Sequence, residues 1–116
     1  MPSRDWHIRI QDILHSARKA VDHTSKMDLQ AFKVDEWCQD AVLRNLMVIG
    51  EAAGEAPDSI ISKYPDIPWA DMRDMRNIVV HEYFGVDLAI VWQTVRYDLP
   101  NLIRQLEHLI EAEKCE

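Results

Sequence analysis

Apolar residues recur along this chain with the period of a helix almost from end to end. Trp6, Ile10, Ile13, Leu14, Ala17 and Val21 follow the i, i+4, i+7 rule, and Ser3 or Asp5 stands where an N-cap belongs. Residues 22–34 are polar and mixed, which reads as a connector. From about Asp35 to Ala56 the period returns. Trp37, Ala41, Val42, Leu46, Ile49 and Ala53 make one stripe, while Leu43, Met47 and Val48 add apolar surface on other faces. A helix that is apolar nearly all round must be covered on both sides, which in so short a chain points to a second copy. Pro57, Pro65 and Pro68 punctuate loops around a short helical turn at 59–63. Pro68 suits the first turn of the next helix, where its missing N–H would be unpaired anyway. That helix runs to Tyr83 or Phe84 and stops near Gly85. Asp87 can cap a last segment whose stripe begins at Leu88, Val91, Trp92 and Val95 and continues through Leu99, Leu102, Ile103, Leu106, Leu109 and Ile110. The stripe crosses Pro100 in phase, so this is one bent helix or two nearly collinear ones. The expected fold is all-α, an antiparallel helical bundle.

Composition narrows the picture. The 116 residues fit one domain, residues 1–116, with no repeat, low-complexity tract or linker. Twenty acidic against thirteen basic residues give a net charge of −7. A protein that wraps nucleic acid is usually basic, because phosphate neutralisation supplies most of the affinity. Broad nucleic-acid binding is therefore disfavoured, while a small site touching one or two phosphates is not. Cys38 and Cys115 form neither a CxxC pair nor a disulfide framework, and Cys38 reads as a small core residue. No signal peptide and no apolar run of membrane-spanning length is visible, so a cytoplasmic setting without membrane contact is expected.

The octet "RNIVVHEY", residues 76–83, sets Arg76, His81 and Tyr83 among apolar neighbours. Such polar residues are either a satisfied structural network or a site. On one helix Arg76 and Tyr83 lie within roughly 20° of each other, and Asn77 and His81 share a face. Arg76 and His81 diverge by about 140°, so a straight helix cannot aim both at one small target. Either the helix ends near His81, or a two-fold axis brings residues of two chains together. Histidine moves protons near neutral pH, and arginine forks two donors onto a phosphate. That pair suits RNA cleavage without a metal, and two chains would supply both a base and an acid.

The surroundings offer little competing chemistry. Glu82 reads as solvent-facing, and His7, His15, His23 and His108 as solvated residues on polar faces. Asp71, Asp74 and Glu82 near His81 carry no metal-binding spacing, and no phosphate-cradling glycine loop or catalytic triad is present. Neither a metal nor a cofactor is expected. Arg44, Asn45 and Glu51 sit inside the most apolar helix and need partners if buried. Glu51 could hold Arg76 or an arginine of another chain, or belong to a salt bridge unrelated to catalysis. Trp69 and Trp92 read as core.

With its spacing R-x4-H-x-Y, "RNIVVHEY" resembles the motif of the HepT-like toxins of the HEPN superfamily. "RNLMVIGEAAGEAP" (44–57), "YPDIPWADMRDMRNIVVHEYFGVD" (64–87) and "VWQTVRYDLPNLIRQLE" (91–107) resemble that family in order and spacing. The resemblance covers most of the chain from about residue 35. It implies a HEPN-like bundle of four to five main helices, a two-fold homodimer, and a cleft where two R-x4-H motifs meet. It implies a metal-independent endoribonuclease acting as the toxin of a prokaryotic toxin–antitoxin pair. The partner it implies is an MNT-type nucleotidyltransferase antitoxin, which attaches AMP to the motif tyrosine. On these residues, Arg76 and His81 match the catalytic pair, Asn77 the orienting polar residue and Tyr83 the modified tyrosine. A different class stays open: a non-enzymatic subunit whose cleft binds a nucleotide or a nucleotidyltransferase. A third is a purely structural helical dimer with a buried polar cluster.

Overall fold

The computed structural model describes residues 2–114, with side chains from Trp6 onward, and among these residues it is all helix and turn. Helix α1 (Pro2–Thr24), α2 (Leu29–Val34), α3 (Glu36–Gly54), α4 (Asp58–Lys63), α5 (Trp69–His81), α6 (Leu88–Gln93) and α7 (Leu99–Glu113) follow in order. A 3-10 turn at Tyr83–Gly85 follows α5, and a π turn at Thr94–Asp98 joins α6 to α7. Helix α3 packs on α1 and α5, and α7 packs on α1. The core is the shared apolar face of these helices, with Ile10, Ile13, Val42, Leu46, Val79, Val91, Leu106 and Leu109 among its most buried members. Each such aliphatic side chain contributes about 1.5–3 kcal/mol by leaving water.

Several expectations need correction. Ser3 and Asp5 already lie inside α1, so neither is its N-cap. The stretch 22–34 is not a plain connector: α1 continues to Thr24, and α2 follows after a short turn. Helix α2 is started by Asp28, whose carboxylate accepts from the Ala31 N–H at 2.9 Å, and it buries Phe32 against Trp92. Asp35 caps α3 in the same way through the Cys38 N–H at 3.0 Å. Trp37 does not belong to the buried stripe, being 90% exposed. Both sides of α3 are covered by α1 and α5 of the same chain, so its apolar surplus does not by itself require a second copy. His7 is exposed, as read, and its ring stacks on Trp6 with centroids 3.7 Å apart. Cys38 is half-buried, its thiol facing the His23 carbonyl oxygen and the Met27 sulfur. Burial first, and then the charge of Asp35, pushes that thiol's pKa up. Cys115 lies outside the described residues.

Pro100 turns out to follow one continuous helical path with a widened turn. The Leu99 N–H bonds back to the Thr94 carbonyl, one residue further than in an α-helix. This widening comes just before the position where proline's ring would press on the preceding turn. From the π turn, Arg96 reaches the Val21 carbonyl at 3.2 Å and the Thr24 hydroxyl at 3.1 Å, tying it to the end of α1.

The 55–68 segment is fastened at three points. Trp69 Nε1 donates to the Tyr64 carbonyl at 3.0 Å, and Gln105 Nε2 to the Asp66 carbonyl at 3.0 Å. Glu113, buried near the end of α7, accepts from the Tyr64 hydroxyl and pairs with Lys63 at 2.9 Å. The Tyr64 hydrogen bond and then Lys63 hold the Glu113 carboxyl below its ordinary pKa.

Candidate functional site

Helices α3 and α5 approach each other unusually closely at Gly50. A Cβ there would stand 2.1 Å from Arg76 Cβ and 2.7 Å from the Met72 carbonyl oxygen. Only glycine allows this contact, and it lays the Arg76 side chain along α3. There Arg76 Nε donates to Glu51 in an ion pair, and Arg76 Nη1 donates to Asn77 Oδ1 at 3.0 Å. Glu51 thus holds the arginine of its own chain. The pair sits at the surface, with Arg76 one-third exposed and Glu51 more so.

Helix α5 ends at His81 because Glu82 leaves helical geometry, with φ −128 and ψ 33. His81 is still the last helical residue and is exposed. The divergence of about 140° between Arg76 and His81 therefore persists within the chain. Asn77 and His81 share the outer side of α5. Glu82 is exposed, as read from the sequence.

Beyond His81 the wheel no longer governs Tyr83. The 3-10 turn, closed by the Gly85 N–H on the Glu82 carbonyl at 2.8 Å, redirects it. Its hydroxyl donates to Asp40 Oδ1 at 2.8 Å, and its ring meets Phe84 edge-on at 5.3 Å. The hydrogen bond to Asp40 is the first cause that raises the phenol's pKa, followed by burial and the Asp40 charge. Asp40 was not picked out in the sequence. Its signal was there: it lies eleven residues before Glu51, within about 20° on the wheel and about 16 Å along the axis. Arg76 and Tyr83 thus rest against the same outer face of α3 but at well-separated points. Arg44 is exposed on that face between Asp40 and Glu51. Asn45, in contrast, is buried, with Nδ2 on the Ala41 carbonyl at 2.9 Å. Trp69 is core and Trp92 half-buried.

Around this face Trp37, Val80 and Phe84 are 90%, 40% and 100% exposed, so apolar surface borders the polar groups. Among the described residues no cluster of three or more His, Cys, Asp or Glu side chains is arranged to hold a metal ion. Nor, among the described residues, is any helix long and apolar enough to cross a membrane.

A family model described as "Ribonuclease HepT-like" matches residues 13–109. The chain belongs to the HepT-like ribonuclease family. Among its relatives is "Putative RNase MJ0127" of Methanocaldococcus jannaschii, 38% identical over 111 residues, covering 96% of this chain and 92% of the relative. The "Probable ribonuclease HepT" of Thermococcus cleftensis is 36% identical over 100 residues, covering 86% of this chain and 91% of the relative. "Putative RNase TTE0752" of Caldanaerobacter subterraneus subsp. tengcongensis is 30% identical over 105 residues, covering 90% and 94%. No solved structure matches the chain.

Proposed function

We propose that the chain is a metal-independent endoribonuclease that cuts RNA by transesterification, with Arg76 and His81 as catalytic residues. The observation that carries this reading is the setting of Arg76. A guanidinium has five N–H donors; Glu51 and Asn77 take one each, so the other three remain for a phosphate. Fixed by two partners, the group needs little rearrangement to meet charge developing on a phosphorane.

In this scheme a His81 imidazole takes the proton from the ribose 2′-hydroxyl. The 2′-oxygen attacks phosphorus, a protonated His81 gives its proton to the leaving 5′-oxygen, and a 2′,3′-cyclic phosphate remains. Because Arg76 and His81 diverge on one helix, the reading includes a two-fold homodimer whose cleft combines both chains. The exposed Trp37, Val80 and Phe84 fit such an interface. Asn77 and Glu51 orient the arginine.

The reading extends to a toxin acting in the cytoplasm and neutralised by an MNT-type nucleotidyltransferase that adds AMP to Tyr83. The adduct would lose the hydrogen bond to Asp40 and set a phosphodiester beside a carboxylate. It would therefore swing away from Asp40 and crowd the mouth of the cleft.

The test is cleavage of a short labelled RNA in excess EDTA by protein whose intact mass shows a bare Tyr83. Cleavage by the wild type, lost in a folded His81→Ala variant and on 2′-O-methyl RNA, is the expected result. No cleavage by either protein would leave the nucleotide- or nucleotidyltransferase-binding subunit as the better reading.

A further inference from the structure

Helix α5 packs on α3, and α7 packs on α1, so α5 and the α6–α7 segment stand apart as two walls. Between them runs an open groove of about 730 Å³, floored by Leu46 and Ile49 of α3. It lies on the opposite flank of α5 from Arg76 and Asn77. Met72, Met75 and Ile78 line one wall, Leu99 and Leu102 the other. Ile78 is 43% exposed there, and Tyr97 at the rim is 72% exposed. Methionine side chains adapt to irregular apolar partners, which suits a surface that receives another helix.

The rim carries one sign of charge. Asp66, Asp71, Asp74 and Asp98 all line the groove, and no lysine, arginine or histidine does. The salt bridges of the described residues leave all four aspartates out. Apolar surface at Met75, Ile78 and Tyr97 between carboxylates outside any salt bridge is the complement of an amphipathic helix with an apolar stripe flanked by lysine or arginine. A second copy of this chain, at net charge −7, is a poor match.

We propose that the α5–α7 groove is the docking site for a basic amphipathic helix of a partner protein. The helix lies along α5 with its apolar stripe over Met75, Ile78 and Tyr97, and its cations meet Asp71 and Asp74 on one side and Asp98 on the other. This surface is separate from the Arg76 face, and the proposal does not rest on the ribonuclease reading.

The test uses a fluorescent synthetic peptide of about 15 residues with Leu at helical spacing and Lys on its flanks, long enough to span α5. Its binding to the full chain is followed by anisotropy, beside a peptide with Glu in place of every Lys. The variants are Asp71→Asn with Asp74→Asn, Met75→Glu, and a charge-matched control, Asp58→Asn with Glu111→Gln, away from the groove. The basic peptide should bind and the acidic one should not. Both groove variants should weaken binding by roughly tenfold or more, with the control close to wild type. No binding, or equal weakening by the control, would overturn the proposal. So would a change of oligomeric state in the groove variants on sedimentation, which would assign the groove to a second copy. Circular dichroism of each variant separates loss of fold from loss of the site.

Discussion

Arg76 lies on α3 only because residue 50 has no side chain: a methyl there would stand 2.1 Å from Arg76 Cβ. The same methyl would meet the Met72 backbone oxygen at 2.7 Å, and backbone cannot rotate out of the way. The glycine in the most apolar helix thus serves the arginine opposite.

Gly50→Ala should therefore harm both stability and activity. Alanine favours helix by up to about 1 kcal/mol over glycine. Overpacking at a closed helix contact costs about 1–3 kcal/mol or more, and it wins here. Thermal melting should show a lower midpoint, and RNA cleavage should fall further than the stability loss explains. An unchanged midpoint would mean that α5 moves away from α3 without penalty.

Glu51→Gln should separate positioning from stability. The ion pair is largely exposed, and such pairs contribute about 0–1 kcal/mol. Melting should shift little, while the rate constant for RNA cleavage falls roughly tenfold or more as Arg76 loses its anchor. A kcat equal to wild type would reduce Glu51 to a surface ion pair.

Tyr83 offers a titration. Its phenol pKa is raised above the ordinary value, chiefly by donating to Asp40. The folded state thus holds this proton more tightly than the unfolded chain. The associated stability is complete below the ordinary tyrosine range and is lost as pH rises through the folded value. Asp40→Asn should move the ultraviolet-monitored Tyr83 titration to lower pH, with Tyr83→Phe identifying the band. An unmoved titration would show that the hydrogen bond is not kept in solution.

At acid pH the relevant group is Glu113. Its pKa is lowered by the Tyr64 hydroxyl first and Lys63 second, so the sign is reversed. Its contribution is present above the ordinary glutamate range and is lost as pH falls through the depressed value. Tyr64→Phe should flatten the acid limb of stability against pH while leaving Arg76 and Tyr83 undisturbed. An acid limb identical to wild type would place the acid-sensitive group elsewhere.

The helical periods of α1, α3, α5 and the C-terminal segment were legible because each buries a continuous stripe. The short α2 was not, since six residues carry too few turns to show a period, and its signal was the Asp28 cap instead. Trp37 followed the apolar spacing of α3 yet stands in solvent, while the next residue, Cys38, turns its thiol to α1. At the site, the R-x4-H-x-Y spacing and the Glu51–Arg76 pairing could be read or anticipated. The partnership of Tyr83 with Asp40 depends on the chain leaving α5 after His81, and wheel arithmetic does not follow a chain round a corner.

The π turn at Thr94–Asp98 fixes a residue count. Val91, Val95 and Leu99 are all buried at successive spacings of four. In an unbroken α-helix that spacing would carry Val91 about 80° around from Leu99. The wide turn takes up the excess, keeping α6 in register on α2 while α7 packs on α1. Deleting one residue here and replacing Pro100 with alanine would give a straighter rod that is rotationally mismatched. Its N-terminal half would turn Trp92 off Phe32 and pull Arg96 from its hold on Val21 and Thr24. One residue of extra length is what lets a single helical path serve two neighbouring helices.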